Sequence, residues 1–275
     1  MKDMNNLSEF KIQDMSDVFC KQHNFSDGYC VGTIEGYDGL YLICQETQTA
    51  KRLPEQYQNT PIYVYPQCGG YKNGLVMVSL MDKINLAYHH NKGSSAGIWG
   101  WTDKDFNIVI EPQYIFAENF IEGKACVCKG NWIQLDDGRY NWKNEAWGII
   151  DMCGKEIVPC KYDELYPIDD SDNLYLAHKG GWENGIYCVV DCDTQNEILQ
   201  MDFDFDAGYM FNEMFVSEDN LFFVNHLPGK GTDLIYVYNL TSNTFLVHGM
   251  PYTERTFNGE SRVVVNKDGE DIIVF

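Results

Sequence analysis

A short aromatic phrase recurs at a fixed distance in this chain. Gly97-Ile98-Trp99-Gly100-Trp101-Thr102-Asp103 returns as Ala146-Trp147-Gly148-Ile149-Ile150-Asp151, with Trp147 following Trp99 by 48 residues. The register then holds without a gap: Ile108-Val109-Ile110 and Tyr114 are matched by Glu156-Ile157-Val158 and Tyr162. Weaker copies start at Gly39-Leu40-Tyr41, Gly185-Ile186-Tyr187, Leu234-Ile235-Tyr236 and Asp271-Ile272-Ile273. Each copy is preceded by a second run of β-forming residues: Tyr29 to Ile34, Leu75 to Leu80, Ala125 to Lys129, Leu174 to His178, Leu221 to Asn225 and Arg262 to Asn266. Internal repetition of this kind limits the fold to stacked or ring-like arrays of one supersecondary unit.

The unit itself is made of strands. Short stretches rich in Val, Ile, Tyr, Phe and Trp alternate with Gly, Asp and Asn clusters, and amphipathic helical periodicity is absent after about the first 25 residues. Six units in 275 residues give about 46 residues each, a period of propeller blades rather than of helical solenoids. The chain is therefore expected to be all-β: an N-terminal segment over 1–26, holding a short helix and a closing strand, and a single repeat domain over 27–275. Unit boundaries fall near 27–72, 73–121, 122–171, 172–214, 215–259 and 260–275. The last unit has only two strands, so Glu9-Phe10-Lys11-Ile12-Gln13 is expected to complete it, closing a six-unit ring by pairing the two chain ends.

The phrase Trp147-Gly148-Ile149-Ile150-Asp151, followed by Gly154-Lys155-Glu156-Ile157-Val158-Pro159 and Tyr162-Asp163, resembles the bacterial WG-repeat family, also called KWG repeats. The unit from Trp99 resembles it through Asp103, Ile108 to Ile110, Pro112-Gln113-Tyr114 and Glu122-Gly123-Lys124-Ala125. The resemblance covers about residues 97 to 165. It implies an all-β repeat scaffold without a shared catalytic site. Phe106 departs from the pattern where a turn glycine is expected, Cys188 replaces the motif glycine, and tyrosine replaces tryptophan in three units. The recurring Trp99, Gly100, Asp103, Tyr114, Trp147, Gly148, Asp151 and Tyr162 read as structural. Gly beside Trp admits a neighbouring backbone, and Asp before the turn accepts backbone hydrogen bonds.

Function is expected where the units differ. Two adjacent units carry long connections, 81–96 and 130–145, between first strand and motif strand. The first holds Tyr88, His89 and His90; the second holds Trp132, Asp136, Asp137, Arg139, Tyr140 and Trp142; the next unit adds Trp182. Aromatics beside acceptors on loops above a rigid scaffold suit binding, and the competing reading folds each hairpin onto its own blade. Adjacent histidines in extended chain point apart, so no metal is assigned to His89 and His90. Asp202, Asp204, Asp206 and Glu213 match several positions of a calcium loop, but Ala207 stands where glycine is required and Phe203 and Phe205 alternate as in a strand. No nucleophile constellation, phosphate loop or cofactor motif is found, and no catalytic residue is assigned.

With 41 acidic and 20 basic side chains, the net charge is −21, which argues against direct nucleic-acid and anionic-membrane binding. The ten cysteines include Cys30, Cys44, Cys126, Cys128 and Cys188 in apolar runs, where they read as small buried hydrophobes. The polar start Met1 to Asn6 lacks a signal-peptide core, so a reducing cytoplasmic setting is expected. The leading expectation is a non-catalytic protein-interaction scaffold, an acidic immunity or inhibitor protein that masks a basic partner. The alternative is a carbohydrate-binding or glycan-processing propeller stacking sugars on Trp132, Trp142 and Trp182. A third reading is a structural domain of a larger repeat protein.

Overall fold

Sharp turns and short β-branched or aromatic runs leave this chain little choice but meanders of antiparallel strands. The computed structural model describes residues 9–19, 25–63, 71–80, 98–137, 140–181, 185–201, 213–226, 233–257 and 260–274. The chain divides into two compact units, Met1–Asp163 and Glu164–Phe275.

The first unit holds three sheets. The first comprises β1 (Glu9–Lys11), β2 (Val18–Phe19), β3 (Tyr29–Ile34), β4 (Tyr37–Cys44) and β5 (Thr49–Arg52), in the order β1-β5-β4-β3-β2. In the second, β6 (Gln56–Tyr57), β7 (Thr60–Tyr63), β8 (Tyr71–Lys72), β9 (Leu75–Leu80), β10 (Ile98–Thr102) and β11 (Ile108–Tyr114) run β11-β10-β9-β7-β6, with β8 also on β9. The third is β12 (Phe116–Ala117), β13 (Lys124–Gln134), β14 (Tyr140–Asp151) and β15 (Glu156–Tyr162), in sequence order.

The second unit continues the meander. β16 (Glu164–Pro167), β17 (Leu174–Lys179), β18 (Ile186–Asp191) and β19 (Asn196–Met201) form one sheet in sequence order. β20 (Glu213–Ser217), β21 (Asn220–His226), β22 (Asp233–Asn239), β23 (Thr244–Phe257), β24 (Glu260–Lys267) and β25 (Glu270–Ile273) form another. β23 serves two partners in turn: Thr244 to Pro251 lie against β22, and Tyr252 to Phe257 against β24.

All six expected pairs of first strand and motif strand are hydrogen-bonded and antiparallel: β3 with β4, β9 with β10, β13 with β14, β17 with β18, β21 with β22, and β24 with β25. The strand that ends one sheet leads almost directly into the next, with only Ile115 between β11 and β12 and only Asp163 between β15 and β16. The only helical element among the described residues is a 3-10 turn at Met15–Asp17, started by Asp14, whose carboxylate accepts from the Ser16 amide.

The expected pairing of the two chain ends is not found among the described residues. Glu9–Lys11 is a strand, but it pairs with Thr49–Lys51 of its own first sheet, and among the described residues β25 pairs with β24 alone. Apolar packing explains the choice. Phe10 stacks on Tyr37 at 4.7 Å and meets Tyr41 edge-on at 5.6 Å, beside buried Ile12 and Ala50. A partner some forty residues away also costs less chain entropy than one at the far terminus.

The two best-formed repeats share a bulge. Trp99 faces Tyr114 and Trp101 faces Ile110, while Trp147 faces Tyr162 and Ile149 faces Val158, so two residues of the motif strand oppose four of the next. The bulged backbone presses on the motif glycine. A Cβ on Gly100 would lie 2.5 Å from the Ile110 carbonyl oxygen, and one on Gly148 would lie 2.6 Å from that of Val158. The turn that follows is capped by the motif aspartate. Asp103 Oδ1 accepts from the amides of Asp105 and Asn107, and Asp151 Oδ1 from those of Cys153 and Lys155.

Between the second and third sheets, Trp99, Trp101, Tyr114, Phe120, Val127 and Ile150 share one buried cluster. Cys30, Cys44, Cys126, Cys128, Cys188 and Cys192 are buried. Burial pushes the Cys128 thiol up to about 12 and that of Cys160 up to about 11, which keeps both protonated and apolar in character.

Candidate functional site

The long connection of the third sheet is itself β-structure. β13 and β14 remain paired from Lys124↔Asp151 out to Gln134↔Tyr140, whereas β12 reaches only Val127 and Cys128, and β15 only as far as Trp147. The rows Asn131↔Lys143, Trp132↔Trp142, Ile133↔Asn141 and Gln134↔Tyr140 therefore have each other as their strand partners and extend as a two-stranded arm. A register shift between Lys129 and Asn131 marks its base. There a Cβ on Gly130 would meet Ile115 Cδ1 at 2.5 Å and the Lys143 carbonyl oxygen at 3.2 Å.

Two strands alone are marginal in water, so the arm needs side-chain support. Trp132 and Trp142 supply it as a directly opposed pair with ring centroids 5.6 Å apart at 88°. Trp142 then meets Phe116 edge-on at 5.0 Å, and Phe116 stacks on Trp147 at 6.0 Å and 9°. This continuous aromatic ladder runs from the arm into the motif tryptophan and is worth roughly 0.5–1.5 kcal/mol per ring pair beyond area burial. Sequence reading missed Phe116. The signal was a lone aromatic just after Tyr114, in a strand only two residues long.

At the base, Lys129 pairs with Glu156 of β15 at 2.5 Å. Their hydrogen bond raises the Lys129 pKa and lowers that of Glu156, partly opposed in each case by desolvation. Toward the tip, Asp136 and Asp137 are exposed, as are Gln134, Asn141 and Lys143. The arm thus offers exposed acceptors on an aromatic-braced support, and its half-buried Trp132 and Trp142 are engaged with each other and with Phe116. Of the expected binding residues, the structure brings together Trp132, Trp142 and the Asp136-Asp137 tip, with Tyr140 in the last arm row. Tyr88, His89, His90, Arg139 and Trp182 lie outside the described residues, as do Asp202, Asp204 and Asp206, while Glu213 begins β20. Among the described residues, no group of three or more His, Cys, Asp or Glu side chains could hold a metal ion. Among the described residues, no helix is long and apolar enough to cross a membrane.

A family model described as the WG-containing repeat matches residues 99–131 and 147–181. Those matches begin at the two motif tryptophans and run through the bulged turns. No curated protein matches the chain. Among solved structures, an oligogalacturonate lyase from Vibrio parahaemolyticus is similar at 12% identity and a TM-score of 0.32, over 96% of this chain and 94% of that one. The Dos1 propeller is similar at 11% identity and a TM-score of 0.33, over 88% of this chain and 63% of that one.

Proposed function

We propose, from two segments that match the WG-containing repeat and lie in a succession of antiparallel sheets, that the chain is a non-catalytic interaction scaffold whose β13–β14 arm contacts a basic protein partner. The observation that carries this reading is the arm itself, strand-paired beyond its sheet and capped by exposed Asp136 and Asp137. A braced arm presents carboxylates without the ordering cost of a floppy loop. The net charge of −21 supports the choice of partner, because an acidic surface accelerates encounter with a basic one and repels acidic competitors. Masking of a basic nucleic-acid-processing enzyme, as an immunity or inhibitor protein would do, is the specific form of this proposal. A sugar-stacking role fits the arm less well, since Trp132 and Trp142 are turned edge-to-face on each other.

The test is binding of the whole chain to basic nucleases and toxins encoded beside its gene, at about 50 and 300 mM salt. Expected is an affinity that falls at least about tenfold with salt and weakens again in Asp136→Asn/Asp137→Asn. Absence of binding at low salt across that panel defeats the inhibitor reading and leaves the charge as a solubility device. A glycan-array signal lost in Trp132→Ala would favour the carbohydrate alternative instead.

A further inference from the structure

A strand at the end of a sheet presents backbone groups that can pair with another chain, and proteins blunt such edges with proline or charge. The second and third sheets end on β11 and β15, which carry Pro112 and Pro159 within the strand, together with Glu111 and Lys161. The next sheet ends on β19, which holds Asn196, Glu197 and Gln200. The last sheet ends on β25, Glu270-Asp271-Ile272-Ile273, which has no proline. All four of its residues are exposed, Ile272 at 39% and Ile273 at 55%.

The ladder fixes which groups of β25 point outward. The Val274 amide donates to the Val263 carbonyl at 2.8 Å, and the strands continue in the register Val264↔Ile273, Val265↔Ile272 and Asn266↔Asp271. Hydrogen-bonded and non-hydrogen-bonded rows alternate in an antiparallel pair. Glu270, Ile272 and Val274 therefore bond to β24, whereas the N–H and C=O groups of Asp271 and Ile273 face away from it. Among the described residues, β25 has no second strand partner on that side.

The side chains sort with the same period of two. Val274 packs on the cluster that contains Phe222, Val263 and Val265, which puts Ile272 on that face and Asp271 with Ile273 on the other. Asp271 accepts hydrogen bonds from Arg255 of β23 and Asn266 of β24. The hydrogen bonds from Asn266 and Arg255 hold its carboxyl below the usual range, so it stays ionised and partnered at neutral pH.

We propose that β25 is a docking edge for β25 of a second copy of this chain, paired antiparallel in a register centred on Ile272. That register sets Asp271 of each copy opposite Ile273 of the other, and each of these rows exchanges both of its N–H···O bonds. Ile272 meets its own symmetry mate in the closer row between them. The edge is thus self-complementary about a two-fold axis, as an isologous interface requires. Charge selects the register, because centring on Asp271 would oppose two carboxylates, whereas centring on Ile272 opposes no two like charges. The Asp271 charge also enters already balanced by Arg255. One strand per copy makes a small interface, and a net charge of −21 on each copy opposes it, so the dimer is weak. The edge is separate from the β13–β14 arm, and either can fail without the other.

The experiment is analytical ultracentrifugation of the whole chain between about 10 and 500 µM, at about 50 and 300 mM salt, with amide exchange measured at both ends of the concentration range. Expected is a monomer–dimer equilibrium with a Kd of about 100 µM at the higher salt. It should tighten several-fold as salt screens the like net charges, opposite in sign to the response expected of a basic partner on the arm. The Asp271 and Ile273 amides should gain about threefold protection across the concentration range, whereas those of Ile272 and Val274, bonded to β24, are protected throughout. Ile273→Lys charges the edge, and Ile273→Pro removes an outward donor while leaving the amides that bond β24 in place. Each should weaken the dimer at least about tenfold, and the lysine variant keeps the test decisive should the proline disturb the hairpin. A chain that stays monomeric at about 500 µM, a dimer that survives Ile273→Lys, or one that loosens with salt overturns the proposal. So does full protection of Asp271 and Ile273 at the lowest concentration, which would mean that the chain covers its own edge.

Discussion

Phe106 and Gly154 occupy the same place in two copies of one turn. The Phe106 amide donates to the Asp103 carbonyl and the Gly154 amide to the Asp151 carbonyl, and the two residues have φ of +63° and +80°. Glycine reaches that conformation freely, whereas a side chain costs about 1–2 kcal/mol there. Phe106 recovers part of this by half-burying its ring against the cluster shared by the first and second sheets. Phe106→Gly is therefore expected to change unfolding stability by no more than about 1 kcal/mol, since relief of strain and loss of packing oppose each other. Gly154→Ala has no such offset, because its Cβ would stand 3.2 Å from Ile110, and should lose about 1–2 kcal/mol. Urea midpoints of the two variants check the asymmetry.

The motif glycines should be far less forgiving. A Cβ on Gly100 would lie 2.5 Å from the Ile110 carbonyl oxygen, 2.6 Å from Pro112 N and 2.8 Å from Pro112 Cα, and Gly148 faces the same crowding from Val158 and Cys160. These are backbone atoms of the bulged strand, which cannot swing away as a side-chain tip can. Gly100→Ala and Gly148→Ala should each cost more than about 3 kcal/mol, in the range reserved for core disruption. Gly74→Ala serves as the control. Unlike them it has positive φ, +83°, and nothing lies within 4 Å of an added Cβ, so strain alone should lower its stability, by about 1 kcal/mol.

The repeat period and the pairing of first and motif strands were legible in the sequence because both rest on local pattern. Alternation and turn chemistry mark each strand, and the distance from Trp99 to Trp147 carries the register. The destination of Glu9–Lys11 was not legible. Its alternation identifies a strand, but the stacking of Phe10 on Tyr37 that selects its partner is a tertiary contact. The arm was half legible: its aromatics stood out in composition, but the sequence left open whether they faced a partner or one another. Direct opposition of Trp132 and Trp142 depends on the register shift beyond Lys129, which no periodicity announces.

The capped turns make stability depend on acid. Burial resists ionisation of Asp103, but hydrogen bonds from the Asn107 side chain and amide and the Asp105 amide, with the nearby Lys51 charge, outweigh it and hold its pKa below the ordinary 3.8. A carboxyl whose folded pKa is depressed contributes stability that is complete above its unfolded value and is lost as pH falls through the folded one. The Asp103 contribution should therefore be intact above about pH 5 and fade progressively below about pH 4, as pH falls through the depressed folded value. Asp103→Asn keeps an oxygen acceptor for the two amides but gives up the Asn107 Nδ2 bond, which Oδ2 accepts at 2.9 Å. The variant should lose about 0.5–1.5 kcal/mol at neutral pH and show a flatter decline between about pH 4 and pH 2, read from urea midpoints across that range.

Trp142 touches both Trp132 and Phe116, so it is the joint through which the arm leans on its sheet. Trp132 lies one contact further out. Because, among the described residues, the arm's outer rows have only each other as strand partners, losing the joint should release the arm without unfolding the sheet. Trp142→Ala is expected to raise amide exchange at 131–134 and 141–143 by about ten- to a hundredfold, while Cys126, Val127, Ile149 and Ile150, buried in the shared part of the same strands, keep their protection. Trp132→Ala should loosen the same amides less, since the contact of Trp142 with Phe116 survives. The urea midpoint should move little in either variant. A Trp142→Ala midpoint as low as that of Gly148→Ala would show that the arm is part of the core, and a binding role for its tip would then have to be separated from folding by the Asp136→Asn/Asp137→Asn pair alone.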